Sequence, residues 1–517
     1  MRNSIYSITL DEALEAVGGH HAYQLRVMGV GGVLGAAVGV TLKAEELRRG
    51  KGYLEEFGEG NMRDLDSVLF LGAAIGALLF GLLVNCLGRK KSLLTGCFAM
   101  TVSTAATSAS VSSALLYLTL PICSCAISGV SLTAVLAMVE TSNAHFRVCS
   151  PAVFLSTVLT GYSGLGLLAV FLPKWRLMWV ICAVVWVCAY LLAEQLLESP
   201  CYLAVVRGKY GQARSILQQI AEINQKSKFS DMLEGEKVIG YLEFSQKSDT
   251  KKESNPESPR LSFAPITKGI TSVSQAENTH ISRYFYWHLV WLRSLRRPYL
   301  SCTVLWTCLF FASSSLVGVN KEALEYGGAL GVVVGLWLLL LLSQRVGRIP
   351  ALLVAFVVTG LSCLLGSLLL ANPCHSTSIC NVNKVFSTAV FYTGFIGAGS
   401  AQCVLLLYTI ELFPSAVRSL SLAAVWACCG VLGSACPVVQ YVQFSPVLVS
   451  GLSLLFLSPL LCFMKETVGE DQCDYIQEEK EDMKNPADLS QIEVHTLPTS
   501  GPTSTNPFSF QPFNEEE

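Results

Sequence analysis

The feature that most constrains this chain is a recurrence of apolar runs, each long enough to cross a bilayer. A helix in hydrocarbon must satisfy its own backbone polar groups, and about 20 apolar residues are needed to span the core. Such runs fall near 25–42, 67–87, 92–114, 117–139, 151–172, 177–197, 299–318, 327–343, 350–371, 385–409, 419–440 and 445–464. Only 14% of the 517 residues are charged and 52% are hydrophobic, whereas a soluble domain is about 25% charged. The pattern predicts an all-α membrane protein with twelve transmembrane helices. The net charge of −2 provides no basic excess for nucleic acid.

Most of the 19 cysteines lie inside apolar runs, where cysteine behaves as a small hydrophobe. No Cys/His spacing suggests a metal site, and no motif calls for a cofactor. The basic residues between spans are unevenly distributed. Arg89, Lys90 and Lys91 follow span 2, Arg147 follows span 4, Arg345 and Arg348 follow span 8, and Arg418 follows span 10. The positive-inside rule makes that side cytoplasmic, together with both termini. The loop after span 1 is mixed, with Lys43, Glu45, Glu46, Arg48 and further charges of both signs. The expected organisation is a cytoplasmic segment 1–24, a six-helix half 25–200, a cytoplasmic linker 201–298, a second half 299–464 and a cytoplasmic tail 465–517. The linker begins with helical spacing and continues into KSDTKKESNPESPRLS, whose composition predicts disorder, as does that of the tail.

The charges at the span ends repeat. Asn85, Gly88 and Arg89 at the end of span 2 match Gln344, Gly347 and Arg348 at the end of span 8. Glu140 precedes Arg147 by seven residues after span 4, and Glu411 precedes Arg418 by seven after span 10. Basic residues that merely capped helices would not share these spacings. The chain therefore reads as two copies of a six-helix unit, an arrangement that in transporters surrounds a site near the bilayer midplane.

Four segments carry a resemblance. They are GLLVNCLGRKK (81–91), LLESPCYLAVVRGKYGQA (196–213), IELFPSAVRS (410–419) and LDEALEAVGGHHAYQ (10–24). The chain resembles the major facilitator superfamily, and within it the organic cation/anion transporter family, solute carrier family 22. The resemblance implies the major facilitator fold and a cytoplasmic gate. Its residues would be Asn85, Gly88, Arg89, Lys90, Glu140, Arg147, Glu198, Gln344, Gly347, Arg348, Glu411 and Arg418. It also implies a plasma-membrane address, with an intracellular membrane as the alternative.

The departures from that family bear on substrate. An amide, Asn85 or Gln344, stands where the loop motif has aspartate, and Cys201 stands where the family has a basic residue. The family's span-4 arginine aligns near Leu120. Its span-11 charge falls twelve residues after the motif arginine, which here is Gly430. No charged residue occurs from Ser92 to Val139. Buried membrane charges usually mark ion paths, so their scarcity argues against a proton relay and against a fixed counter-ion. The candidate cavity residues are then Tyr162, Trp306, Phe310, Tyr392, Gln402, Trp426 and Gly430.

The family's large glycosylated outer loop is missing, and the chain has no N-x-S/T sequon. Cys374 and Cys380 in the loop NPCHSTSIC are a candidate disulfide pair. Asn506-Pro507-Phe508 in the tail matches a turn motif bound by endocytic adaptor domains. The expected function is transport of a small organic solute, neutral, zwitterionic or amphiphilic, by alternating access. The alternative is a transporter-shaped receptor, scaffold or regulator. No catalytic constellation recurs, so an enzyme is not expected.

Overall fold

A computed structural model describes residues 14–15, 17–19, 21–48, 62–172, 174–207, 209–225, 293–319, 329–371, 377–415, 417–434 and 446–468. Twelve long helices lie among them. The first six are α1 (Ala22–Arg48), α2 (Met62–Leu87), α3 (Arg89–Ser108), α4 (Ser113–Thr141), α5 (Cys149–Ala169) and α6 (Trp175–Glu194). The second six are α7 (Arg293–Val319), α8 (Ala329–Val346), α9 (Arg348–Ala371), α10 (Thr377–Leu412), α11 (Arg418–Ser434) and α12 (Pro446–Leu457), the last continued by a 3₁₀ segment, Ser458–Phe463. Each predicted span falls on one of these helices.

Ten helices are long and apolar enough to cross a membrane on length and composition alone. α11 is apolar but shorter, at 17 residues. α3 has the length but is rich in Ser and Thr. Most of its hydroxyls are satisfied within the helix: Thr101 donates to the Cys97 carbonyl at 3.0 Å, Thr104 to Met100 at 2.6 Å and Thr107 to Ser103 at 2.8 Å. Closing each hydroxyl on its own backbone lets a polar sequence lie inside a bundle. α2 presents exposed Leu71, Ile75, Leu78 and Leu82 along one stripe. A stripe of that kind faces lipid rather than water.

The packing repeats with a shift of six helices. α1 packs on α5, α2 on α4, and α3 on both α4 and α6. In the second half α7 packs on α11, α8 on α10, and α9 on both α10 and α12. The halves meet along α2 with α11 and along α5 with α8, a pair of seams that the same shift interconverts. The first-half core extends into the second through Leu406 and Ile410 of α10 and Leu422 and Ala423 of α11. Within a half, backbones approach closely where one helix carries glycine. Gly39 faces the Val158 carbonyl and Gly161 faces the Ala36 carbonyl, closer than any side chain could fit. Lipid supplies no hydrophobic drive for helix association, so this dispersion contact holds α1 against α5.

A short helix, Tyr210–Ile223, follows the first half and returns to the start of α1. Asn224, just past its end, accepts from Tyr23 N at 2.9 Å. Its amide donates to the Val17 carbonyl and to Gln24 Oε1, both at 3.0 Å. The polar part of the linker expected to be disordered, the tail motif Asn506-Pro507-Phe508, and the side chains of Cys374 and Cys380 lie outside the described residues.

The principal departure from expectation is at α1. The helix runs past the predicted end at residue 42 to Arg48. Lys43 and Arg48, expected in an outer loop, are 1% and 0% exposed. Helix propensity and internal ion pairs carry the backbone on where hydropathy stops: Lys43 meets Glu46 at 3.2 Å, and Arg48 meets Glu45 at 2.5 Å.

The α1–α5 contact gives a controlled prediction. Gly161→Val should lower the thermal unfolding midpoint of the detergent-purified protein by an amount corresponding to about 1–3 kcal/mol. Gly164→Val, where a Cβ meets nothing within 4 Å, should leave it nearly unchanged.

Candidate functional site

At one end of the bundle, where the basic motif residues lie, the sequence builds the same assembly twice. Gly88 ends α2 and turns into α3 with φ +101°, and Gly347 turns from α8 into α9 with φ +117°. Only glycine takes this conformation without strain. Each turn aims the next residue, an arginine, into the bundle. Arg89 makes a two-pronged pair with Glu140, at 2.8 Å and 2.6 Å, with both residues 1% exposed. Arg348 pairs with Glu411 at 3.2 Å and 3.0 Å. The glutamate therefore bonds the loop-motif arginine and not the arginine seven residues on. Arg147 instead donates to the Val139 and Ser142 carbonyls, and Arg418 to those of Ile410 and Phe413. Each closes the carbonyl end of its helix, where a cation is favoured.

A second carboxylate completes each copy. Glu198 accepts from the backbone N–H of Arg89 at 2.7 Å and of Lys90 at 3.2 Å, capping α3. Glu466 accepts from Arg348 N at 2.8 Å and Ile349 N at 3.1 Å, capping α9. The next residue reaches the paired glutamate: Ser199 donates to Glu140 and Thr467 to Glu411, both at 2.7 Å. Glu466, Ser199 and Thr467 were missed by sequence reasoning. The signal was available, because Glu-Thr after span 12 repeats Glu-Ser after span 6. Two carboxylates, a hydroxyl and an N-terminal dipole thus surround each arginine, the arrangement a buried guanidinium requires.

The amides that replace the family's aspartates have different surroundings. Asn85 Oδ1 accepts from Ser419 Oγ at 2.7 Å, across the α2–α11 seam. Gln344 is exposed. In the first half the residue equivalent to Ser419 is Val148, buried in an apolar cluster with Leu336 and Leu340 of α8.

Away from this end a cavity of about 510 Å³ lies between the halves. Tyr162, Trp306, Phe310, Trp426 and Gly430 line it, as do Leu120, Phe70 and Trp179. Tyr392 and Gln402 do not. Tyr392 packs against the second-half core, and Gln402 donates to Ser313 Oγ at 2.9 Å. Phe70 and Phe310 meet edge to face at 5.7 Å across the halves, and Trp306 meets Trp426 at 6.4 Å.

The cavity also corrects the expectation that no fixed charge faces it. Glu45 and Glu46 of α1 are on its wall. The Tyr162 hydroxyl donates to Glu46, and Lys43 lies 4.8 Å from the Tyr162 ring centre. Their charges were assigned to a loop because hydropathy ends where the helix does not. Among the described residues no His/Cys/Asp/Glu group has the geometry to hold a metal.

Residues 64–473 match the sequence profile of the family described as "Sugar (and other) transporter". The chain is 25% identical over 468 residues to organic anion transporter 3 of Mus musculus, covering 86% of this chain and 78% of that protein. Among solved structures it resembles the proton:xylose symporter XylE of E. coli, with a TM-score of 0.60 at 15% identity over 87% of this chain and 98% of that one. It also resembles the human organic anion transporter MFSD10, with a TM-score of 0.54 at 13% identity over 85% of this chain and 100% of that one.

The two ion pairs differ in burial, with side-chain exposure of 2% and 0% for Arg89 and Glu140 against 5% and 14% for Arg348 and Glu411. Glu140→Gln leaves a fully buried guanidinium short of its counter-charge and should cost about 3–5 kcal/mol. Glu411→Gln should cost less, because water can reach that site. Thermal unfolding of both variants in the same detergent ranks them.

Proposed function

Because the chain belongs to the sugar (and other) transporter family, we propose that it moves a small organic solute through the bilayer by alternating access. The halves 25–200 and 299–464 would rock about the cavity between them. The observation that carries this reading is the pairing of a cavity at the half interface with two matched charged assemblies at one end. On this reading those assemblies, with Asn85–Ser419 between the halves, are the cytoplasmic gate in its closed state. The basic end faces the cytoplasm with both termini, in the plasma membrane.

The energetics suit a gate. A buried ion pair gains little net free energy against its desolvation, so it can be broken and remade in each cycle, whereas an apolar core of the same size would lock. The aromatic lining and the lack of basic residues among the described residues of the cavity wall favour a neutral, zwitterionic or amphiphilic solute over an organic anion.

Ser419 is 0% exposed and Leu42, at the far side of the cavity, is 44% exposed. An impermeant maleimide should label Leu42→Cys and spare Ser419→Cys, after subtraction of the native cysteines. Adding Asn85→Ala, which removes the bond across the seam, should raise labelling at Ser419→Cys several-fold and lower it at Leu42→Cys. Labelling that stays fixed at both positions would favour the non-transporting receptor, scaffold or regulator instead.

A further inference from the structure

The place where the resembled family sets its charge is closed by packing. A Cβ on Gly430 would lie 2.9 Å from the Phe70 carbonyl oxygen and 3.0 Å from Ala74 N. No ionic side chain fits there while α11 lies against α2. The charge of this cavity comes from another helix. Glu45 and Glu46 line it, and among the described residues no lysine or arginine does. Lys43 and Arg48, their partners, are buried behind them.

The two carboxylates are not equivalent. Arg48 takes both oxygens of Glu45, at 2.9 Å and 2.5 Å. Lys43 and the Tyr162 hydroxyl both meet Oε2 of Glu46, which leaves Oε1 without a partner among the described residues. A carboxylate oxygen can accept two bonds. One of low hydration on an aromatic wall attracts a cation strongly. A second observation is independent of the acids. Trp179 lines the same cavity, is 1% exposed, and its indole N–H has no partner. Buried donors in native proteins are nearly always paired, so this one calls for an acceptor that the protein does not provide.

We propose that Glu46, held in place by Lys43 and Tyr162, is the subsite for a positively charged nitrogen of the solute. The solute's flat apolar body lies among Phe70, Phe310 and Trp306, and an acceptor oxygen on it is taken by Trp179. The ligand class is an amphiphilic amine or quaternary ammonium carrying an ester, amide or carboxylate oxygen. A solute whose only charge is negative would meet the carboxylates of Glu45 and Glu46, with no lysine or arginine among the described lining residues. The inference rests on the transporter reading for the cavity's being a solute site, but it concerns binding, which can be measured without transport.

The test uses the full-length protein in detergent and three probes that share a phenyl body: trimethyl(phenethyl)ammonium, 3-phenylpropionate and 4-phenylbutan-1-ol. The cation should raise the unfolding midpoint saturably, and the anion and alcohol should not. Glu46→Gln should weaken the cation at least about tenfold. That variant weakens the Lys43–Glu46 ion pair, so the double variant K43M/E46Q, which removes the pair together, is the companion for a misfolded single variant, and it too should lose the cation. No response to the cation, an equal response to the anion or alcohol, or retention of the cation by K43M/E46Q within twofold would overturn the proposal. Uptake of the same cation into proteoliposomes is scored separately. Binding that depends on Glu46 without uptake retains the subsite and removes the transport reading. Uptake indifferent to Glu46 does the reverse.

Discussion

The arrangement depends first on a buried arginine turned inward by a glycine. Arg89 is 1% exposed in a protein whose surroundings are hydrocarbon, and an isolated guanidinium there would be prohibitive. Four features make it tolerable. Glu140 takes two of its N–H groups, Glu198 caps the helix it begins, Ser199 fixes the carboxylate, and Gly88 lets Glu198 approach. At Gly88 a Cβ would lie 2.5 Å from Glu198 Oε2. The second half repeats each feature with Arg348, Glu411, Glu466, Thr467 and Gly347. The two halves therefore share a physical solution as well as a fold, and the solution draws together the ends of four helices in each.

Away from that end the bundle is held by close contact of small residues and hydroxyls closed on their own helices. At Gly430 such close contact leaves no room for a side chain. Once α11 and α2 touch backbone to backbone, the contact itself contributes stability and excludes a side chain. The acidic groups of the cavity come from α1, whose last turns carry their own ion pairs.

The fold was legible in the sequence because hydropathy and the bilayer thickness act on the same length scale. The paired charged residues at the basic end were legible because charges are rare here, so matched spacings at spans 2 and 8 and at 4 and 10 stood out. Two things were not legible. Glu45 and Glu46 were read as loop because an apolar run ends at the first charge, while a helix ends only where its hydrogen bonding does. The i,i+3 partners Lys43 to Glu46 and Glu45 to Arg48 were the available sign of continuation. Tyr392 and Gln402 were placed at the cavity because weakly polar side chains in a span suggest a lumen. In the structure they serve packing and a helix-to-helix bond to Ser313, a distinction that depends on which face each presents and not on composition.

The duplication is faithful within each half and unfaithful between them. At the basic end the α2–α11 seam is fixed by the Asn85–Ser419 hydrogen bond, which is directional and sets a register. The equivalent α5–α8 seam has Val148 against Leu336 and Leu340, a contact without direction. Its hydrogen bond lies about two turns deeper, where Trp337 Nε1 donates to Ser156 Oγ at 3.1 Å. An amide bonded on one side, with an exposed amide and an apolar contact on the other, leaves one seam latched at the end and its twin free to slide there. Each half keeps its internal ion pair, so at this end the charges are paired within the halves, while the seams between them rest on a neutral hydrogen bond and an apolar contact, both of which are less sensitive to salt than an ion pair.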